Sequence, residues 1–170
     1  YGGEMSINKI LDLLYPGRCP VCDRILAYRE TLVCPDCIGK LAYIKEPKCM
    51  KCGKQMMDNE TEYCAGCRDK RRYFRKGFSV FLYNDVMKKS IYRFKYANRR
   101  EYSRFYAETV CRCLGKEIRE FCADAIIPVP LHPKRFRKRG YNQAGLIASE
   151  IGRRMNIPVR EEILIRERNT

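Results

Sequence analysis

Two features that the sequence lacks, a membrane span and an export signal, limit the compartment expected for the protein. No stretch of its 170 residues approaches the apolar length needed to cross a bilayer. The first twenty residues also lack an apolar core with a cleavage site, because charged and apolar residues alternate at helical spacing from Met5 to Leu14. An export signal is therefore not expected. We predict a soluble, cytoplasmic protein in a reducing compartment, where thiols stay free.

Histidine is equally scarce, since His132 is the only one in the sequence. It lies between Leu131 and Pro133, and no neighbouring carboxylate would orient it as a general base. We therefore assign no catalytic residue and expect His132 to make a loop or phosphate contact.

Cysteine, by contrast, is abundant. Eight of the eleven cysteines form four Cys-x-x-Cys pairs, and eleven residues separate each pair from the next. Zinc takes four thiolates in a tetrahedron, and each pair supplies two of them from one tight loop. The spacing therefore predicts two zinc sites. Their ligands are Cys19, Cys22, Cys34, Cys37, Cys49, Cys52, Cys64 and Cys67.

Other uses of these thiols remain open beside zinc. A redox site needs a single Cys-x-x-Cys at a helix start in a βαβ setting, and iron–sulfur proteins usually crowd three cysteines into one run. Disulfides need an oxidising compartment, which the sequence does not indicate. Sequential pairing of the ligands is the default, but spacing leaves an interleaved arrangement open. The regular period also indicates an internal duplication.

The three remaining cysteines are Cys111, Cys113 and Cys122, which lack the spacing of metal ligands. Free cysteines usually behave as small core residues. We therefore predict structural roles for all three.

The sequence is strongly basic, with 35 lysines and arginines against 20 acidic residues and a net charge of +15. Eight zinc-bound thiolates and two Zn²⁺ ions would lower this to about +11. Such a charge favours phosphate-rich partners, either nucleic acid or a pyrophosphate ligand, although many basic proteins only carry a solvated cationic surface.

The composition changes near Arg72, and we divide the chain there. Residues 1–72 contain the predicted N-terminal helix and a double zinc ribbon, with too few apolar residues to fold without metal. Residues 73–170 show the pattern of an α/β domain with a parallel sheet. Its predicted elements are strands at 77–83 and 125–129, a helix capped at Asn84, a long amphipathic helix at 102–121 and a helix starting at Asn142.

A basic loop follows the second predicted strand. Five of the six residues at 134–139 are cations, and a helix is predicted to start just beyond them. In an open α/β sheet, ligands bind outside the carboxyl ends of the strands, where a helix N-terminus favours anions. The loop is therefore the candidate anion site, and a solvated loop without a ligand is the alternative.

Aromatic residues interleave with the cations of this part of the chain, and exposed rings would stack on nucleic-acid bases. We expect most of them in the core. They are Tyr73, Phe74, Tyr92, Phe94, Tyr96, Phe136 and Tyr141.

Taken together, these residues resemble the ComF-type competence proteins, which join a double zinc ribbon to a type I phosphoribosyltransferase-like domain. The resemblance covers nearly the whole chain. Besides the cysteine pairs and Arg135, it rests on Leu13-Leu14-Tyr15-Pro16, Phe94-Lys95-Tyr96, Ile127-Pro128-Val129-Pro130 and Arg139-Gly140-Tyr141-Asn142-Gln143.

The resemblance implies a role in natural transformation, in which the protein helps single-stranded DNA enter the cytoplasm together with a membrane-associated helicase-like translocase. It also implies a fold whose relatives use phosphoribosyl pyrophosphate and Mg²⁺, with positioned charge holding the leaving group. The residues that would lie near pyrophosphate or a nucleic-acid backbone are Lys95, Arg135, Arg139, Gly140, Tyr141, Asn142 and Gln143.

The chain departs from phosphoribosyltransferases because it has no apolar strand that ends in paired acidic residues before a Thr/Gly-rich loop. Residues 163–170 look like the opening of a further motif, so we expect a chain truncated at its C-terminus. As written, it should not catalyse phosphoribosyl transfer. Two functions remain: a zinc-binding accessory protein that handles single-stranded DNA, and a phosphoribosyltransferase whose complete form contains the acidic motif.

Overall fold

The computed structural model describes residues 16–27 and 31–168. The predicted helix from Met5 to Leu14 lies outside these residues. No helix in the described ranges has the length and apolar character that a membrane span requires. The helices found there are α1 (Pro35–Ile38), α2 (Ala65–Arg68), α3 (Asp85–Tyr96), α4 (Tyr102–Glu120), α5 (Pro133–Arg139) and α6 (Gln143–Met155).

Helix α4 confirms the long amphipathic helix predicted from its apolar periodicity. Tyr102, Phe105, Tyr106 and Leu114 are buried along one face. Thr109 lies on the same face, and its hydroxyl donates a hydrogen bond of 2.8 Å to the carbonyl of Phe105, so its burial leaves no polar group unpaired. Helix α6 packs against α4.

Asparagine side chains fix the starts of α3 and α6, as the sequence predicted. The side-chain oxygen of Asn84 accepts a hydrogen bond of 3.0 Å from the backbone N–H of Met87. Asn142 does the same for Ala144 at 3.1 Å. Each cap satisfies one of the N–H groups that a helix start leaves without an internal partner.

The predicted parallel sheet is wrong. The described residues contain no strand, and their extended backbone pairs only at isolated bridges. Residues 77–83 instead face the segment between the two ribbons: Ile44 N–H donates to the Val80 carbonyl, and Leu82 N–H donates to the Ala42 carbonyl, both at 2.8 Å. An apolar run of this length indicates burial, but it does not reveal what covers it.

The second predicted strand, at 125–129, also differs from the expectation. It makes one parallel bridge, between Ile126 and Val159. Val129 is 64% exposed, so the segment is not covered on both faces as a central strand would be. The absence of polar alternation was therefore a misleading signal for this segment.

The first zinc ribbon packs into the helical core. The Arg99 guanidinium donates two hydrogen bonds to the Asp23 carboxylate, at 2.7 and 2.9 Å. The Tyr102 hydroxyl donates to the same carboxylate at 2.7 Å and lies 3.1 Å from the carbonyl oxygen of Cys19. These contacts tie the two sides of the proposed division near residue 72 together, and the division itself stays a prediction.

Candidate metal centres and basic surface

The first cysteine group has the geometry of a zinc site. The sulfur atoms of Cys19, Cys22, Cys34 and Cys37 all lie within 4.8 Å of one another. Cys22 Sγ and Cys34 Sγ are 3.7 Å apart. A tetrahedron with zinc–sulfur bonds of about 2.3 Å has edges of about 3.8 Å, so the sulfur atoms already stand where zinc would hold them.

Two kinds of turn present these sulfur atoms. At the first pair, Cys19 N–H donates to the Arg24 carbonyl (2.9 Å), and Asp23 N–H donates back to the Cys19 carbonyl (2.8 Å). This closed turn places Asp23 in the left-handed region, at φ +65°. At the second pair, Cys34 precedes α1 and Cys37 lies inside it. The pairing is sequential, as the default interpretation had it.

The second group repeats this arrangement. The sulfur atoms of Cys49, Cys52, Cys64 and Cys67 lie within 4.8 Å of one another, and Cys52 Sγ is 3.8 Å from Cys64 Sγ. The equivalent hydrogen bonds recur, from Cys49 N–H to the Lys54 carbonyl (2.8 Å) and from Gly53 N–H to the Cys49 carbonyl (2.9 Å). The repeated geometry is that expected of an internal duplication.

The thiols in the first group have pKa values shifted in opposite directions. Burial tends to raise the pKa of Cys22, but hydrogen bonds from Arg24 outweigh it and lower the pKa to about 6. Burial raises the pKa of Cys37 to about 12, and hydrogen bonding to Cys34 and Cys22 adds to the rise. Four thiolates so close together repel one another, and a divalent cation removes that cost.

The pKa values of the thiols in the second group differ in the same way. Hydrogen bonds from the backbone of Cys52 and Cys64 outweigh burial and lower the pKa of Cys49 to about 6. Burial, followed by hydrogen bonding to the neighbouring thiols, raises the pKa of Cys67 to about 12. Zinc, which binds thiolates, fits both groups, and its role here is to hold each ribbon together.

The other three cysteines match the prediction only in part. Cys111 is half-buried, but Cys113 and Cys122 are exposed. Cys113 lies four residues after the buried Thr109 on α4 and is nevertheless exposed, so these two thiols are not core residues. The prediction followed the average behaviour of cysteine, which the exposure of Cys113 and Cys122 does not match.

The basic loop contains a helix that the sequence analysis did not predict. Helix α5 begins with Pro133, and the ring nitrogen Nδ1 of His132 accepts a hydrogen bond of 3.3 Å from Lys134 N–H. Proline suits the first position of a helix because the missing N–H would have no partner there. Gly140 ends the helix at φ +75°, a conformation that favours glycine. His132 therefore acts as a helix cap.

Within the predicted binding residues, Arg139 and Gln143 are in direct contact. Arg139 donates a hydrogen bond of 2.7 Å to Gln143 Oε1. Gln143 is 7% exposed, and its Nε2 has no hydrogen-bond partner among the described residues. Because Arg139 fixes the orientation of the amide, Nε2 is a buried donor that still needs an acceptor.

Two other members of the set make contacts that hold neighbouring segments together. Tyr141 is buried, and its hydroxyl donates to the Phe94 carbonyl, while Arg100 covers its ring at 4.8 Å and donates to the Gly140 carbonyl. Asn142 caps α6 and donates to the Val129 carbonyl at 3.2 Å.

The two remaining predicted cations, Arg135 and Lys95, lie on α5 and α3. Arg135 is half-buried on α5. Lys95 lies on α3, and no hydrogen bond or ion pair of the described residues links it to Arg139 or Gln143. The binding roles of the whole set stay a prediction.

A pair of tyrosines completes the surface and was not among the predicted site residues. Tyr92 and Tyr96 lie one turn apart on α3, with ring centroids separated by 4.9 Å and side chains 63% and 53% exposed. The Arg139 guanidinium lies 4.7 Å from the Tyr96 ring centroid and donates to its hydroxyl at 3.0 Å. We call Tyr92, Tyr96 and Arg139 the aromatic platform. The four-residue spacing of the tyrosines was the available signal.

Comparisons with known proteins agree with this geometry. The family described as "Double zinc ribbon domain" matches residues 10–68. Competence protein F of Haemophilus influenzae is 28% identical over 161 residues, which cover 90% of this chain and 67% of that protein. Competence protein ComFC of Bacillus subtilis is 30% identical over 133 residues, which cover 75% of this chain and 54% of that protein.

A third relative is named for DNA. The DNA utilization protein YhgH of Escherichia coli K12 is 25% identical over 165 residues, covering 93% of this chain and 70% of that protein. The chain thus spans between about half and two thirds of the length of the competence proteins it matches. No solved structure matches it significantly. With its two four-cysteine sites, the chain is a zinc-binding, competence-related protein that is similar to the ComF-type proteins.

Proposed function

We propose that this protein binds single-stranded DNA at the surface formed by α3, α5 and the start of α6, and that it assists DNA uptake in this way. The observation that carries the proposal is the aromatic platform, in which a cation lies against one of two neighbouring exposed rings. The names of the relatives, which refer to competence and to DNA utilization, support the same function.

The platform offers what unpaired bases bind. Base–aromatic stacking contributes roughly 1 to 3 kcal/mol per base and tolerates any sequence. Tyr92 and Tyr96 are neighbouring rings that are both more than half exposed, so a base can reach them. Double-stranded DNA hides the faces of its bases, so single strands are the better fit.

Cations surround the platform on both helices. Lys88 and Lys89 lie one turn before Tyr92 on α3 and are exposed. On α5, Arg137 and Lys138 are also exposed. These side chains supply positive charge on the same two helices as the platform, and each contact with a phosphate would release counterions from the nucleic acid.

The start of α6 supplies a further anion contact. The buried Nε2 of Gln143 needs an acceptor, and it lies beside Arg139 at the N-terminal end of a helix. Such an end carries a partial positive charge and unpaired N–H groups. A phosphate oxygen of the bound strand would satisfy this donor.

The test is binding of the zinc-loaded protein to fluorescently labelled oligodeoxythymidine across a salt series. Tyr96→Ala is expected to weaken binding roughly 5-fold or more through the loss of stacking, with little change in salt dependence. Arg137→Gln with Lys138→Gln should instead lower the slope of log affinity against log salt by about 1.4, at about 0.7 per lost phosphate contact. Lys116→Gln, an exposed cation on α4, serves as the control.

Salt-insensitive binding by the wild-type protein, or unchanged affinity of Tyr96→Ala, would contradict the proposal. Phosphoribosyl transfer is not part of it, because the sequence has no apolar strand that ends in paired acidic residues before a Thr/Gly-rich loop. We also propose a membrane-associated helicase-like translocase as the partner, and this part of the proposal depends on the family resemblance alone. The corresponding test is co-purification of the two proteins, with Cys37→Ser and Cys67→Ser as comparison variants.

A further inference from the structure

A second surface with a similar composition lies directly after the second zinc ribbon. Residues 70–76, which we call the basic segment, contain five cations and two aromatic rings and no acidic residue. Every one of these residues is exposed. Tyr73 is 89% exposed and Phe74 is 43% exposed. Neither the zinc sites nor the aromatic platform uses this segment.

The ribbon holds the basic segment in place at both ends. The Arg72 guanidinium donates to the Gly66 carbonyl of α2 at 3.2 Å. Gly77 N–H donates to the Lys51 carbonyl at 2.7 Å, and a side chain at Gly77 would come within 3.1 Å of the Cys52 carbonyl oxygen. The segment is therefore attached to a metal-organised scaffold, although it has no helix or strand of its own.

Cations lie against the rings throughout this surface. Arg71 lies over Tyr73, Lys51 over Phe74 and Arg75 over Phe121, each about 5.5 Å from the ring centroid. No ion pair in the described part of the chain neutralises a cation of the basic segment. The positive charge is thus available to a polyanion, and it is placed next to exposed rings.

We propose that the basic segment is a second contact site for single-stranded nucleic acid. Exposed rings flanked by cations are the arrangement that binds unpaired bases and phosphates together. The rings distinguish this ligand from a duplex, whose stacked bases would leave Tyr73 without a partner. The site shares its ligand class with the proposed function but no residue with the aromatic platform, so the two can fail separately.

The test compares Tyr73→Ala with Tyr73→Phe in the zinc-loaded full chain, using labelled oligodeoxythymidine. Tyr73→Ala should weaken binding roughly 5-fold or more, and Tyr73→Phe should restore it to within about 2-fold, because the ring and not the hydroxyl stacks on a base. Lys70→Gln with Arg71→Gln should lower the salt slope by about 1.4. Since Tyr73 is almost fully exposed, folding is not at risk, and zinc content confirms it.

Two further arms separate this inference from the proposed function. If Tyr96→Ala weakens binding but Tyr73→Ala does not, the basic segment is not a nucleic-acid site, while the aromatic platform stands. If both changes weaken binding, both sites are supported. Vesicles containing anionic phosphatidylglycerol form the last arm. Loss of vesicle binding by Lys70→Gln with Arg71→Gln, with DNA binding retained, would assign the segment to lipid headgroups and overturn the inference.

Discussion

The two zinc ribbons have the same turns but different surroundings. In the first ribbon, Cys19 and Cys37 are fully buried in the main hydrophobic cluster beside Tyr102 and Phe105 of α4. None of the described residues between positions 45 and 76 belongs to that cluster. The comparison shows that the same zinc-binding turns can occur in two settings: the first ribbon is part of the hydrophobic core, and the second lies outside it.

The residue after the first Cys-x-x-Cys pair of each ribbon shows how this difference arises. Both positions have a positive φ, +65° at Asp23 and +69° at Gly53. Glycine adopts this conformation without cost, whereas aspartate is one of the few other residues that tolerate it. At Asp23 the cost is offset by the hydrogen bonds to Arg99 and Tyr102, which fasten the ribbon to the helices.

Breaking one zinc site at a time should have the largest effect on this comparison. Cys37→Ser is expected to abolish the cooperative unfolding of the helices, because a structural zinc contributes roughly 10 to 16 kcal/mol, as much as the whole stability of many domains. Cys67→Ser should leave that transition in place and unfold only the second ribbon. Thermal circular dichroism and zinc stoichiometry measure both. Equal loss of helix signal in the two variants would contradict the different roles.

The next largest effect is expected from removing the Asp23 carboxylate, which fastens the first ribbon to the helices. Asp23→Ala should lower the free energy of unfolding by about 2 to 4 kcal/mol, because it deletes three hydrogen bonds and leaves Arg99 without its partner. Asp69→Ala, in the second ribbon, is the control and should change stability by less than about 0.5 kcal/mol, since that residue is exposed. Urea unfolding measures the difference, and similar losses in both variants would argue against it.

A glycine exchange tests the second ribbon. Gly53→Ala should destabilise that ribbon by about 1 to 3 kcal/mol, because the new Cβ would lie 2.8 Å from the Gly77 carbonyl oxygen in a strained backbone conformation. Gly39→Ala is the matched control in the first ribbon, where a Cβ meets open space. Zinc release during denaturant titration reports both, and the prediction fails if the two curves coincide.

The smallest expected effect concerns an arginine beside the first site. Arg24 lies 3.5 Å from Cys22 Sγ and 3.9 Å from Cys34 Sγ and pairs with Asp36. Arg24→Gln should weaken zinc binding at this site roughly 10-fold, as expected when a partner of the metal ligands is lost. Lys54→Gln, at the equivalent position of the second ribbon, should have little effect. Competition with a chromophoric chelator gives the zinc affinity of each variant. Equal losses of affinity in the two variants would contradict a special role for Arg24.

The sequence was sufficient wherever the signal was local. The zinc ligands follow from cysteine spacing, although the spacing left their grouping open. Helix α4 follows from its apolar period, and Asn84 and Asn142 mark the helix starts. Each of these features depends on residues close together in the chain.

The errors concern contacts between distant residues. The apolar run at 77–83 was expected in a sheet, but its hydrogen-bond partners come from residues 42–44, on the far side of the second ribbon. The contact between Arg139 and Tyr96 joins residues 43 positions apart, and no local pattern indicates it. Helix α5 was missed because its run of cations was interpreted as a loop, although Pro133 and Gly140 mark its two ends.

Arg99 and Arg100 are neighbours in the chain but hold different parts of the molecule. Arg99 binds Asp23 in the first ribbon, and Arg100 binds the Gly140 carbonyl and covers Tyr141 at the end of α5. The first metal site and the basic surface therefore share one short stretch of backbone. If this stretch couples them, thermodynamic reciprocity requires that a ligand on α5 raise the zinc affinity of the first ribbon by the same factor as zinc raises the affinity for that ligand.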